Sequence, residues 1–141
     1  NLKEINLYDS KIEDDGIEYL TKSDFKQIEI LNLSLTNIRN NTTKLLSNSG
    51  FKDLRELDLS QNLITDSGIE NLINSDFKEL KRLDISQTQI TNKSIEHLIK
   101  CDFKKLENLS LHHNDISNDA IKYLIECEFK KIQILSLNNT K

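Results

Sequence analysis

Apolar residues return along the whole chain at a fixed interval of 26 positions. Leu2, Ile28, Leu54, Leu80, Leu106 and Ile132 open successive units. Three and five positions later come Ile5/Leu7, Leu31/Leu33, Leu57/Leu59, Leu83/Ile85, Leu109/Leu111 and Leu135/Leu137. This alternation has period two, which predicts a short strand with one face buried. A small polar residue follows (Ser10, Thr36, Asn62, Thr88, Asn114, Thr140), suited to bonding backbone groups that a bend leaves unpaired. Two positions on stands an Ile in five units: Ile12, Ile38, Ile64, Ile90 and Ile116.

The second half of each unit changes period. Asp14, Asn40, Asp66, Asn92 and Asn118 put an Asx two residues after that Ile, and Asx is a strong N-cap type, so each is expected to cap its own helix. A small residue follows (Gly16, Thr42, Gly68, Ser94, Ala120), then Ile17/Leu20, Thr43/Leu46, Ile69/Leu72, Ile95/Leu98 and Ile121/Leu124 as an i, i+3 apolar edge. The second unit lacks the Gly, and its helix is expected to be irregular. Phe25, Phe51, Phe77, Phe103 and Phe129 close the units as a stacked aromatic spine.

One strand and one short helix cannot bury an apolar face alone, but stacked units share a continuous core. The expected fold is therefore α/β, a solenoid curved into a horseshoe. Parallel strands about 4.8 Å apart line the concave face, and helices about 10 Å wide splay over the convex face. Residues 1–141 read as a single domain of five 26-residue repeats plus a sixth strand, expected to be a piece of a longer protein.

The run Leu54–Thr65, LxxLxLxxNxIT, followed by Asp66-Ser-Gly-Ile-Glu-Asn-Leu72, resembles the leucine-rich repeat superfamily. Its ITDxGxxxL segment is most similar to the 26-residue cysteine-containing class of F-box proteins, with ribonuclease-inhibitor-like repeats a near relative. The bend Cys of that class is replaced here by Ser, Thr or Asn. The resemblance implies a protein-interaction module that binds a macromolecular partner through its concave sheet. The alternatives are a structural or assembly scaffold, and the recognition domain of a microbial effector.

The concave columns give the candidate partner-binding residues. The first runs Glu4, Ile30, Glu56, Arg82, Asn108, Ile134, and the second Asn6, Asn32, Asp58, Asp84, Ser110, Ser136. The third runs Tyr8, Ser34, Ser60, Ser86, His112, Asn138, and the fourth Asp9, Leu35, Gln61, Gln87, His113, Asn139. The large apolar members Tyr8, Ile30, Leu35 and Ile134 stand out on a polar sheet and point to an interface. Glu56, Asp58 and Asp84 beside Arg82 point to a basic or mixed partner surface.

A net charge of −4 argues against a nucleic-acid partner. Lys26, Lys52, Lys78, Lys104 and Lys130 form a column, but Asp24, Asp76, Asp102 and Glu128 are interleaved, as on a solvated edge. No apolar run is long enough to span a membrane. His112, His113, Asp84 and Asp115 raise a metal reading, which strand alternation opposes by sending adjacent side chains to opposite faces. His97 and Cys101, one helical turn apart, with Cys127 a repeat later, are read as buried residues and free thiols instead of ligands. Six Asn-x-Ser/Thr sequons occur, at Asn32, Asn40, Asn41, Asn92, Asn108 and Asn138. Glycans at Asn32 or Asn108 would obstruct the sheet, so a cytoplasmic, unglycosylated protein is expected. No phosphate-cradling Gly loop or paired nucleophile and base is present. The chain is expected to have no catalytic residues, no cofactor or metal and no small-molecule substrate. Its expected partner is another protein, not nucleic acid or membrane.

Overall fold

A computed structural model of the chain describes residues 2–126 and 129–140. Six three-residue strands, β1 (Glu4–Asn6), β2 (Ile30–Asn32), β3 (Glu56–Asp58), β4 (Arg82–Asp84), β5 (Asn108–Ser110) and β6 (Ile134–Ser136), form one sheet in chain order. All pairs are parallel and keep the repeat register, Glu4 with Ile30, Ile30 with Glu56, and so on to Ile134. The strands alternate with α1 (Glu13–Lys22), α2 (Asn40–Ser47), α3 (Asp66–Asn71), α4 (Asn92–Leu98) and α5 (Asn118–Glu126). Each helix packs on its neighbours in sequence.

The core is built from the predicted columns. Leu31, Leu57, Leu83 and Leu109 sit inside the sheet at 2% exposure or less, and Ile38, Ile64 and Ile90 are fully buried behind them. Each such side chain contributes about 1.5–3 kcal/mol through removal from water. The aromatic spine forms at Phe51, Phe77 and Phe103, while Phe25, in the first of the described coils, is 47% exposed.

Polar ladders tie the coils together. The Asn62 side chain accepts from the Thr36 and Ile38 amides and donates to the carbonyls of Leu33, Leu59 and Ser60. Asn114 does the same for Thr88, Ile85 and Leu111. In these two repeats the bend residue thus satisfies backbone groups of its own coil and the one before, groups that would otherwise be costly to bury.

The Asx column does something other than expected. Asn40, Asp66, Asn92 and Asn118 are the first residues of their helices and Asp14 the second residue of α1, so none is its own N-cap. The side chains instead reach one coil forward. Asp14 accepts from the Arg39 amide at 3.1 Å, Asn40 from Thr65 at 2.9 Å, Asp66 from Thr91 at 2.8 Å, and Asn92 from Ser117 at 2.9 Å. These four Asx side chains therefore satisfy free N–H groups at the entry of the next helix, the groups a cap must serve.

The second helix is regular, contrary to the sequence expectation. Thr42 occupies the Gly position, and its hydroxyl donates to the Asp14 carboxylate, anchoring the first turn. The irregular helix lies in the third repeat, where α3 tightens into a 3-10 turn at Leu72–Asn74. Gly68 weakens that helix, and the Asn71 side chain is drawn onto the Asn40 carbonyl and Thr43 hydroxyl of the preceding coil.

Candidate functional site

The open face of the sheet forms a groove of about 360 Å³. Ile30, Asn32, Glu56, Asp58, Arg82, Asp84, Asn108, Ser110, Ile134 and Ser136 line it, so ten of the column residues come together there. Parallel pairing places Glu56 beside Arg82 and Asp58 beside Asp84. Arg82 Nε lies 3.8 Å from Glu56 Oε2, a half-exposed ion pair of small energetic weight. Burial pushes the Asp58 carboxyl up, against hydrogen bonds from Ser60, and the neighbouring Asp84 charge adds to the rise. Ile134 is 54% exposed at the edge of the groove.

The second column has a local task as well. Oδ1 of Asn6, Asn32, Asp58 and Asp84 accepts the backbone N–H two residues on, at Tyr8, Ser34, Ser60 and Ser86, at 2.9–3.0 Å. These are Asx turns that end the first four strands. They also correct the third column: Ser34, Ser60 and Ser86 are 2–6% exposed and turned inward instead of facing the partner side. The strands are only three residues long, so their alternation stops before this column.

The fourth column marks a recurrent left-handed position. Asp9, Leu35, Gln61, Gln87, His113 and Asn139 all have φ between 51° and 56°. No β-branched residue occupies the column, as expected where φ is positive. All six side chains are exposed. Their amides continue the ladder past the strands, Leu35 to the Ser60 carbonyl at 3.1 Å and Gln61 to Ser86 at 3.0 Å.

The fold matches known architectures. A family model described as "Leucine Rich repeat" matches residues 52–72. The C-terminal domain of a tropomodulin from Caenorhabditis elegans superposes with a TM-score of 0.74 at 17% identity, over 93% of this chain and 84% of that one. An internalin (inlF) from Listeria monocytogenes gives 0.59 at 20% identity over 99% of this chain, which spans 43% of the internalin's length. Internalin C2 from the same species gives 0.61 at 19%, over 98% of this chain and 73% of that one. Among curated proteins no sequence matches. The chain folds as a leucine-rich repeat solenoid.

Within the solenoid, Glu4, Asn6, Tyr8, Asp9, Leu35, Gln61, Gln87, His112 and His113 lie outside the groove lining. Tyr8 (55% exposed) and Leu35 (39%) sit on the turn side of the sheet. His112 and His113 follow β5 in the turn, so strand alternation does not separate them, and their rings meet edge to face at 5.2 Å. Among the described residues no group of three or more His, Cys, Asp or Glu is placed to hold a metal ion. Cys101 is a buried free thiol, pushed up to about 12 by burial, while Cys127 lies outside the described residues. The lysine column is paired at its centre, Lys78 and Lys52 with Asp76 at 3.1 and 3.7 Å, and Lys104 with Asp102 at 3.1 Å. Sequence reasoning missed the forward-reaching Asx ladder and the Asx turns. The turns had a signal, the recurring Asx-x-Ser of Asn32–Ser34, Asp58–Ser60 and Asp84–Ser86.

Proposed function

We propose that this solenoid is a protein-binding module that engages another protein through the open face of its sheet. Leucine-rich repeat domains generally mediate protein–protein interaction. The observation that carries the choice of face is the groove itself. It is lined by charged and polar side chains and flanked by Ile30 and the exposed Ile134, while Tyr8 and Leu35 place two more apolar contacts beside it. Exposed aromatic and aliphatic anchors on a polar surface are the usual centres of interface energy. On this reading the chain carries no catalytic residue, cofactor or metal, and nucleic acid, membranes and small-molecule substrates are not its ligands. The ITDxGxxxL run of Ile64–Leu72 and the 26-residue period support placing its repeats with the F-box-protein-like class. A cytoplasmic setting accords with the sequons at Asn32 and Asn108 on the sheet.

The test is affinity capture from the native cell extract with the intact chain and with a Tyr8→Ala/Ile30→Ala/Leu35→Ala/Arg82→Ala variant. The reading requires that a specific protein be retained by the first and lost by the second, with the melting temperature little changed. Equal capture by both, at equal stability, would remove the groove from consideration.

A further inference from the structure

The groove on the sheet runs across the strands between two walls. The middle residues Leu31, Leu57, Leu83 and Leu109 turn into the core and leave a backbone floor, while the residues before and after them point outward. One wall is Ile30, Glu56, Arg82 and Asn108, and the other is Asn32, Asp58, Asp84 and Ser110. All eight belong to β2–β5, strands with a paired neighbour on each side. The walls differ in charge. On the first, Arg82 and Glu56 offset each other across 3.8 Å. On the second, Asp58 and Asp84 stand side by side on adjacent strands. No ion pair among the described residues includes either of them. Both carboxylates are held in place, since Oδ1 of each accepts a turn amide at 2.9 Å. Burial, with the Asp84 charge adding to it, resists ionisation of Asp58, and an incoming cation would lower that cost. The groove thus has a fixed place for a positive charge that the chain does not fill.

We propose that the groove takes an extended segment of the partner protein whose central residue is an arginine, held between Asp58 and Asp84. The inference rests on the reading that the open sheet face is the binding surface, and it names what that face selects. Arginine suits the pair better than lysine, because its planar fork offers separate N–H groups to two carboxylates, whereas an ammonium is a single point charge. Spacing then sets the flanking residues. The midpoint between Asp58 and Asp84 lies one and a half strand spacings, about 7 Å, from β2 on one side and from β5 on the other. Two residues of an extended chain cover about 6.8 Å, and side chains two apart point the same way. The residue two places from the arginine therefore meets Ile30 at one end, and its counterpart meets Asn108 and Ser110 at the other. The segment reads apolar-x-Arg-x-polar, in one chain direction or its reverse.

The probes are the end-blocked pentapeptides Leu-Ser-Arg-Ser-Gln and its reverse, Gln-Ser-Arg-Ser-Leu. Each is titrated into the isotope-labelled full chain and followed by amide chemical shifts. Saturable shifts at Ile30, Ser60, Ser86 and Ser110 are expected from one of the two. Citrulline in place of the arginine, uncharged and nearly the same shape, binds about tenfold more weakly, the worth of one charge-assisted pair. On an Asp58→Asn/Asp84→Asn chain the two forms bind alike. That variant can keep its turns, because Asn6 and Asn32 make the same turn in the same column, and the citrulline comparison on the parent chain needs no variant at all. No shifts from either pentapeptide at about 5 mM, where even millimolar affinity would register, would overturn the proposal. So would shifts only outside the groove, equal binding of arginine and citrulline on the parent chain, or tighter binding of a Glu-centred pentapeptide through Arg82. Those results leave the wider reading of the sheet face standing, since capture with the Tyr8→Ala/Ile30→Ala/Leu35→Ala/Arg82→Ala variant decides it separately.

Discussion

Leu83 and Leu135 occupy the same place in the repeat, yet Leu83 is 2% exposed and Leu135 39%. The same contrast separates Phe77 at 2% from Phe25 at 47%. Side chains of one type on one local structure differ here only in whether a coil lies on both sides of them. Burial in this molecule is therefore conferred by the neighbouring coil, as expected for a stack with nearest-neighbour coupling. Hydrogen bonding follows the same rule, since Asn62 and Asp66 spend their side chains on backbone groups of adjacent coils.

The largest effect should come from cavities. Leu83→Ala should cost about 2–5 kcal/mol in urea unfolding, and Leu135→Ala less than about 1 kcal/mol, since much of its surface is already wet. Equal losses would erase the contrast between centre and edge.

Next come the bend residues. Asn62→Ala strands buried amides and carbonyls in two coils and should cost about 1–3 kcal/mol. Asn139→Ala, an exposed residue beyond the last strand, should be nearly silent in the same thermal melts.

The carboxylates give a smaller, pH-dependent signature. Burial opposes ionisation of Asp66, but hydrogen bonds from Ser94 and Thr91 outweigh it and hold the carboxyl below its ordinary value of 3.8. A carboxyl depressed in the fold stabilises above its unfolded value, and that contribution is lost as pH falls through the lower folded value. Urea midpoints recorded from pH 7 down to about 3 should therefore fall less steeply for Asp66→Asn than for the parent chain. Asn40 and Asn92 make the equivalent contacts without a titrating group.

Asp58 has the opposite sign and the smallest expected effect. Its carboxyl is raised by burial and by Asp84, so its ionised form costs stability above the raised value and the cost fades as pH falls through it. Asp58→Asn should give a slight gain in melting temperature at neutral pH that disappears in acid. A loss at neutral pH would mean that the Ser60 contact dominates.

What was readable in the sequence was what repeats in one dimension. Leu57, Ile64, Ile69 and Phe77 announced strand, bend, helix and closure by spacing alone, because burial on one face imposes a period. The features that escaped join residues in different coils. Asp66 has the chemistry of an N-cap, but its partners Thr91 and Ser94 lie one coil on, a relation visible only once coils are stacked. The pairing of Asp with a hydroxyl and of Asn with Gly or Ala, Asp14–Thr42 and Asn40–Gly68, was written in the chain but needed that ladder to be seen. In the groove, Glu56 and Arg82 fell where alternation put them, while Ser60 turned inward because the Asp58 Asx turn ends the strand early.

Native-state amide hydrogen exchange tests most directly whether each coil owes its order to the next. The amides of Leu59 and Ile85, bonded to Asp84 and Ser110 carbonyls at 2.8 and 3.1 Å, should open only with global unfolding. Those of Leu137 and Asn139, which have no following coil to bond among the described residues, should exchange orders of magnitude faster by local fraying. Uniform protection from the second strand to the sixth would contradict the account.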